Sequence, residues 1–181
     1  MDYDETEIAT SYDKARVLAP ETVRLWQHLL SVDVAQTGMS LVVDLGCGTG
    51  RFSEILATHF GCQVIGIDPS RKMVEQARRK PTKGNISYRQ GPAEAIPLSD
   101  GYADLVFMSM IYHHLNEPPV VARECHRVLR LGGYTCIRNG TRETDFPHRH
   151  FFPGLDRLSG TSRGCSSLLA LLLLSIGLSL R

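Results

Sequence analysis

Residues 41–51 read LVVDLGCGTGR, and this stretch decides the fold. Leu41 to Leu45 is a short buried-strand pattern interrupted only by Asp44, and Gly46, Gly48 and Gly50 follow at alternate positions. The next segment, RFSEILATHF (51–60), is an amphipathic helix pattern stopped by Gly61, a residue type that ends helices. A strand, a glycine turn and a helix in that order predict one unit of an α/β sheet.

Outward from this unit the alternation continues. Before it, residues 20–31 (PETVRLWQHLLS) place Val23, Trp26, Leu29 and Leu30 at helical spacing, with Pro20 at a first helical position. After it, Gln63 to Ile67 predicts a strand. Ser70 caps a helix running to about Lys80, whose last residues Arg78, Arg79 and Lys80 suit its negative end. Ile86 to Arg89 and Asp104 to Met110 predict two more strands. Residues 117–130 predict a helix capped by Asn116, then a turn at Gly132 and Gly133, then a strand over Tyr134 to Ile137. Alternating strands and helices imply a doubly wound, Rossmann-like, mostly parallel sheet, and near-continuous apolar strands agree, because both faces of such a sheet are buried.

Composition is ordinary for a globular domain, with 43% hydrophobic and 22% charged residues in 181. A formal net charge of +1 supplies no bulk field for nucleic acid, so no nucleic-acid partner is expected. Five scattered cysteines with no CxxC pair suggest neither a zinc site nor a disulfide framework and suit a reducing, cytoplasmic compartment. MDYDETEIAT lacks the basic and apolar regions of a secretory signal. Residues 159–167 are loop-like, and LLALLLLSIGLSL (168–180) is Leu-rich and uncharged. The run from Cys165 to Leu180 is sixteen residues, short of the roughly 20 that span a bilayer, so a buried terminus is the expectation and membrane contact through a tail anchor the alternative.

The glycine turn chooses among ligands. A phosphate loop needs GxxxxGK[ST], and no such lysine is present. A dinucleotide fingerprint is GxGxxG, whereas the spacing here is GxGxG with arginine at 51. Asp44 would repel a pyrophosphate and suits a cationic ligand bearing an α-ammonium group. Asp68, eighteen residues beyond Gly50, suits the hydroxyls of a ribose. S-adenosylmethionine meets these requirements, and an NAD-dependent oxidoreductase is the weaker alternative.

The ordered set VVDLGCGTGRF, VIGIDPSRKMVEQAR, GPAEAIPL, DLVFMSMIYHHL and ECHRVLRLGGYTCI resembles the class I S-adenosylmethionine-dependent methyltransferases, closest to the small-molecule group typified by quinone-biosynthesis enzymes. The resemblance covers about residues 8–140. It implies that Asp44 and the backbone of Gly46 hold the methionine end, with Cys47 inside the turn that Gly48 and Gly50 shape. It implies that Asp68 binds the ribose, that Pro69 and Met73 pack on adenine, and that Ala93 and Glu94 lie at the adenine edge. Ser109 and Met110 would approach the methyl group, and Tyr12 and Arg16 would cover the cofactor. The chain departs from the family at Pro92, where an acid often stands, and after Ile137, where two further strands usually follow. The resemblance therefore implies a methyltransferase domain over 1–158, lacking the usual C-terminal strands and with its edge open or patched by an atypical tail over 159–181, as in a truncated chain. A second reading follows: a catalytically impaired cofactor-binding or interaction protein derived from a methyltransferase, without turnover.

His113 and His114, at the mouth of the expected site, are candidates for a general base or an acceptor contact, though histidines so placed often only cap or pack. His148 and His150 form an HxH without an evident third ligand, so no metal is expected. Phe146, Phe151 and Phe152 pack the core or line an acceptor pocket. The methyl acceptor is expected to be a small molecule.

Overall fold

The computed structural model describes residues 18–34, 38–139 and 174–175. The elements are α1 (Pro20–Asp33), β1 (Leu41–Leu45), α2 (Arg51–Phe60), β2 (Gln63–Asp68), α3 (Arg71–Arg79), β3 (Ile86–Gln90), β4 (Ala103–Ser109), a 3₁₀ turn (Tyr112–His114), α4 (Pro118–Val128), β5 (Leu129–Arg138) and β6 (Leu174–Ser175). The sheet order is β3-β2-β1-β4-β5-β6. β1 to β5 run parallel, and β6 pairs antiparallel with β5 through Tyr134–Ser175 and Thr135–Leu174. The strand after β1 is laid on one side of it and β4 on the other, so the order reverses between β1 and β4. Such a switch point opens a crevice at the carboxyl ends of those two strands.

Both faces of the sheet are covered. Val42, Val64, Leu105 and Phe107 pack with Trp26 and Leu30 of α1 and Phe52 and Leu56 of α2. Val43, Leu45, Ile65, Ile67, Val106 and Met108 pack on the opposite face with Val121, Cys125 and Val128 of α4. Successive strand residues point to opposite faces, which is why all five residues of β1 are buried and why its sequence shows no polar alternation.

Local signals account for the helix ends. Ser70 accepts the Met73 N–H at 3.2 Å and caps α3. Gly61 ends α2 in the left-handed conformation (φ 62°) and donates to the Ala57 carbonyl at 3.0 Å. The cap of α4 differs from expectation. Glu117 precedes the helix, its side chain makes no capping bond, and Pro118 and Pro119 open it; proline needs no N–H at those positions and pre-sets the helical φ. The helix also stops at Val128, two residues early. Strand pairing begins at Leu129 with Ala103 and resumes at Tyr134 with Leu105, so Arg130–Gly133 bulge out, with Gly132 at φ 79°. The expected glycine turn therefore lies inside the strand as an irregularity.

Two polar clasps set where the chain crosses the sheet. Asp104 at the start of β4 is 2% exposed and accepts from Ser40 N (2.7 Å), Leu41 N (2.8 Å) and Ser40 Oγ (3.0 Å), and it pairs with Arg130. Burial raises its pKa, but the bonds from Leu41 and Ser40 outweigh that and hold the carboxyl below its ordinary value. Arg127 of α4 donates to the carbonyls of Ile96 (2.9 Å) and Leu98 (2.8 Å) and pairs with Glu124 and Asp100, closing the loop after β3 onto the sheet.

Candidate cofactor site

The pocket lies at the switch point. It is lined by Asp44, Gly46, Cys47, Gly48, Arg51, Phe52 and Ser109, contributed by the turn after β1, the first residues of α2 and the end of β4. Five of the residues singled out in the sequence are thus brought together: Asp44, Gly46, Cys47, Gly48 and Ser109.

The turn needs its glycines for different reasons. Gly46, Gly48 and Gly50 all have positive φ (70°, 54° and 78°). A Cβ on Gly46 would run into Ile111, and one on Gly50 into the Tyr88 ring. At Gly48 nothing lies within 4 Å of that position, so this glycine alone faces open space. The amides of Gly46 and Cys47 donate to the Ile67 carbonyl at 2.7 and 3.1 Å, which locks the turn to β2. Lys80 Nζ donates to the Thr49 carbonyl at 2.7 Å from the end of α3.

Asp44 is 1% exposed and accepts one hydrogen bond from Ser53 Oγ at 2.6 Å. Burial pushes its carboxyl up to about 7; the Ser53 bond opposes the shift, and the charge of nearby Asp68 adds to it. Asp68 is 8% exposed. Its Oδ2 accepts from Gly48 N at 2.8 Å and its Oδ1 from Ser70 N at 2.9 Å, so it ties the glycine turn to the cap of α3. The Cys47 thiol is held well above its usual value by burial, then by Asp44 and Asp68. It stays neutral, a small side chain that fits.

The remaining sequence candidates lie around this pocket or away from it. Pro69 is exposed beside Asp68, and Ala93 and Glu94 are half-buried in the turn after β3. Met73 is 2% exposed, a packed residue of α3. Met110 follows Ser109 with φ 58°, a conformation uncommon outside glycine, held by its N–H to the Arg138 carbonyl at 2.7 Å. His113 and His114 are exposed on the 3₁₀ turn, their rings 4.0 Å apart, with His113 Nδ1 3.4 Å from Asn139 Oδ1. Neither lines the pocket. Tyr12, Arg16, Phe146, His148, His150, Phe151 and Phe152 lie outside the described residues. Among the described residues no group of three His, Cys, Asp or Glu side chains could hold a metal ion, and no helix is long and apolar enough to cross a membrane. Cys47, Cys62, Cys125 and Cys136 are buried thiols outside any disulfide.

Sequence reasoning passed over Ser53, Ile111, Tyr88 and Arg138. Arg138 carried a usable signal, a charge at the carboxyl end of an apolar strand, the same signal that singled out Asp44 and Asp68.

Residues 43–137 match the family model described as a methyltransferase domain, which is more than half of the chain. The chain belongs to the class I S-adenosylmethionine-dependent methyltransferases. A demethylmenaquinone methyltransferase of Renibacterium salmoninarum is 30% identical over 144 residues, 79% of this chain and 60% of that protein. A malonyl-[acyl-carrier protein] O-methyltransferase of Legionella pneumophila is 32% identical over 128 residues, 69% of this chain and 44% of that protein. This methyltransferase chain therefore spans about half the length of these curated relatives. A SAM-dependent methyltransferase from Aquifex aeolicus superposes with a TM-score of 0.59 at 25% identity, over 72% of this chain and 79% of that one. A structure from Methanococcus maripaludis, titled a putative S-adenosylmethionine-dependent methyltransferase, gives 0.69 at 22% identity over 87% and 78%, which shows the shared fold. The family's cofactor is S-adenosylmethionine. The residues present fit it: a buried acid faces the pocket, an open glycine faces the same space, and the carboxylate of Asp68 stands at the end of the neighbouring strand.

Proposed function

We propose that this chain transfers the methyl group of S-adenosylmethionine to a small-molecule acceptor. The observation that carries the reading is Asp44: a carboxyl buried in the pocket with one hydrogen bond and a pKa of about 7 is poised for a cationic group. In this reading Asp44 and the Gly46 carbonyl hold the α-ammonium of the cofactor. Gly48 lets the cofactor approach the backbone. Asp68 accepts from the ribose hydroxyls while it keeps the turn in shape. Pro69 and Met73 flank adenine, Ala93 and Glu94 meet its edge, and Ser109 and Met110 stand nearest the sulfonium. Tyr12 and Arg16 cover the site.

When bound, the cofactor supplies an activated methyl group with a good leaving group, so orientation supplies much of the catalysis. A base is required only if the acceptor must lose a proton. His113 and His114 are our candidates for it, on the loop that leaves the end of β4. The domain is taken as residues 1–158, with the tail 159–181 returning a two-residue strand, β6, to its edge. Four buried thiols outside any disulfide suit a reducing compartment such as the cytoplasm.

Titration calorimetry with S-adenosylhomocysteine tests the reading. We expect binding by the parent, and binding weakened by Asp68→Ala and by Asp44→Asn. No heat in the parent, with both variants alike, rejects it. A second reading, a cofactor-binding or interaction protein without turnover, draws support from exposed Pro92 at the adenine edge and from the two-residue pairing of β6. A methylated product formed by the purified chain from any acceptor panel eliminates that second reading.

A further inference from the structure

Tyr88 of β3 reaches beneath the glycine turn. Its ring lies against Gly66 of β2 and its hydroxyl against Gly50, so that a Cβ on either glycine would run into it. Cys47, Val74 and Ala77 pack in the same cluster. Tyr88 is 8% exposed, yet its hydroxyl makes no hydrogen bond among the described residues. An unpaired phenol in a core is costly, and a phenylalanine would fill the same space without that cost.

Burial pushes the Tyr88 phenol up to about 12, and the adjacent Ser53 hydroxyl opposes the rise. Ser53, in the first turn of α2, is fully buried and gives its single proton to Asp44 Oδ2 at 2.6 Å. What Ser53 has left is lone pairs, and what Tyr88 has left is a proton. The contact between them stops short of a hydrogen bond. Closing it satisfies both groups at once, with Tyr88 O–H donating to Ser53 Oγ and Ser53 O–H donating to Asp44. A donor behind Ser53 polarises its hydroxyl, and an ionised carboxylate gains more from such a chain than a neutral acid does.

We propose that Tyr88 is a positioning residue for the cofactor site, its hydroxyl backing the Ser53–Asp44 hydrogen bond so that Asp44 can face a cation as a carboxylate. The proposal rests on the reading of Asp44 as the holder of the cofactor's ammonium group. Neither Tyr88 nor Ser53 lines the pocket, so both act through Asp44. The other charged and titratable groups facing this chain of hydroxyls are Asp68 of β2, Arg51 and Glu54 of α2, Cys47 of the turn and Lys80 of α3.

The test replaces Tyr88 by phenylalanine in the full chain, which keeps the ring between Gly50 and Gly66 and removes one oxygen. Thermal melts at pH 5 and pH 8 come first and need no ligand. At pH 5, with Asp44 protonated, Tyr88→Phe should melt at or above the parent, since it discards an ill-satisfied hydroxyl. At pH 8 it should melt below the parent. Losing support for the charged acid raises the folded pKa of Asp44 further, and a raised carboxyl loses stability as pH climbs through that value. In an Asp44→Asn background the effect of Tyr88→Phe should be the same at both pH values. An equal effect at both pH values in the parent background is what packing alone gives, and it overturns the proposal. So does a Tyr88→Phe chain that fails to fold at pH 5. Titrations with S-adenosylhomocysteine then read the consequence at the site. Tyr88→Phe should bind about three- to tenfold more weakly at pH 7, and the pH at which affinity levels off should move upward. With Ser53→Ala already in place, Tyr88→Phe should cost no further affinity, because the path to Asp44 is cut; a full additional loss overturns the proposal. If the parent binds no S-adenosylhomocysteine, the cofactor reading fails, and the melts still decide whether Tyr88 acts on Asp44.

Discussion

Asp44 carries the sharpest consequences at the scale of single residues. Its folded pKa is about 7 against an ordinary 3.8. A raised carboxyl favours the folded chain below the unfolded value and loses that contribution as pH climbs through the folded one. Asp44→Asn, which keeps an oxygen for Ser53, should therefore be the more stable protein at pH 8, by up to about 4 kcal/mol, and should converge with the parent near pH 4. Thermal melts across that range check it. Ligand binding has the opposite sign. An ammonium group favours the ionised acid, so affinity for S-adenosylhomocysteine should rise toward pH 7 and level off above it, with the slope absent in Asp44→Asn. A flat profile in the parent would remove Asp44 from the ammonium site. Gly46 and Gly48 divide by the same logic. Gly46→Ala must displace Ile111 from a positive-φ turn and should cost about 2 kcal/mol or more of stability, whereas Gly48→Ala carries the positive-φ strain alone and projects its methyl into the open space before the ligand. Binding assays beside melts should show Gly48→Ala losing proportionally more affinity than stability.

Elements are decided by short-range chemistry wherever one side chain suffices. The Ser70 cap, the Gly61 stop and the exact span of α2 were all legible, because each depends on neighbours within a few positions. Ser70→Ala should cost about 1 kcal/mol, and more than that if it also shifts Asp68, whose Oδ1 accepts the Ser70 N–H. Comparing Ser70→Ala with Ser70→Gly in chemical denaturation would show whether the lost side-chain oxygen or the shifted backbone matters. The start of α4 was misread since a prolyl pair can open a helix without any side-chain cap. The register jump at Arg130–Gly133 was invisible for another reason. It arises from pairing with β4, where Ala103 and Leu105 are two apart and their partners five apart. No local pattern in β5 encodes its neighbour's spacing.

Across the whole molecule, Asp104 joins segments that are sixty-odd positions apart in sequence, |i−j| being 64 for Ser40 and 63 for Leu41. Asp104→Ala would strand the buried Leu41 amide, remove the acceptor of the part-buried Ser40 amide and leave Arg130 without this partner, and should cost about 2–4 kcal/mol. Because the pocket lies between β1 and β4, two strands in from β6, a chain ending at Gly160 should keep its S-adenosylhomocysteine affinity within about twofold while melting earlier. Equal loss of affinity and stability would mean that the edge shapes the pocket.

By itself the sequence determined the alternation of elements, the glycine turn and the two acids at strand ends, because periodicity, φ > 0 and charge at the end of an apolar run are local properties of the chain. Only the tertiary structure decided which glycine faces open space, that the Gly46 amide is already taken by Ile67, that Asp44 sits deep enough to titrate near 7, and that Arg138 comes to rest between Trp26, Phe52 and Ser109. Each of these depends on strands brought together by the sheet order, and burial and proximity between distant segments exist only after that packing is complete.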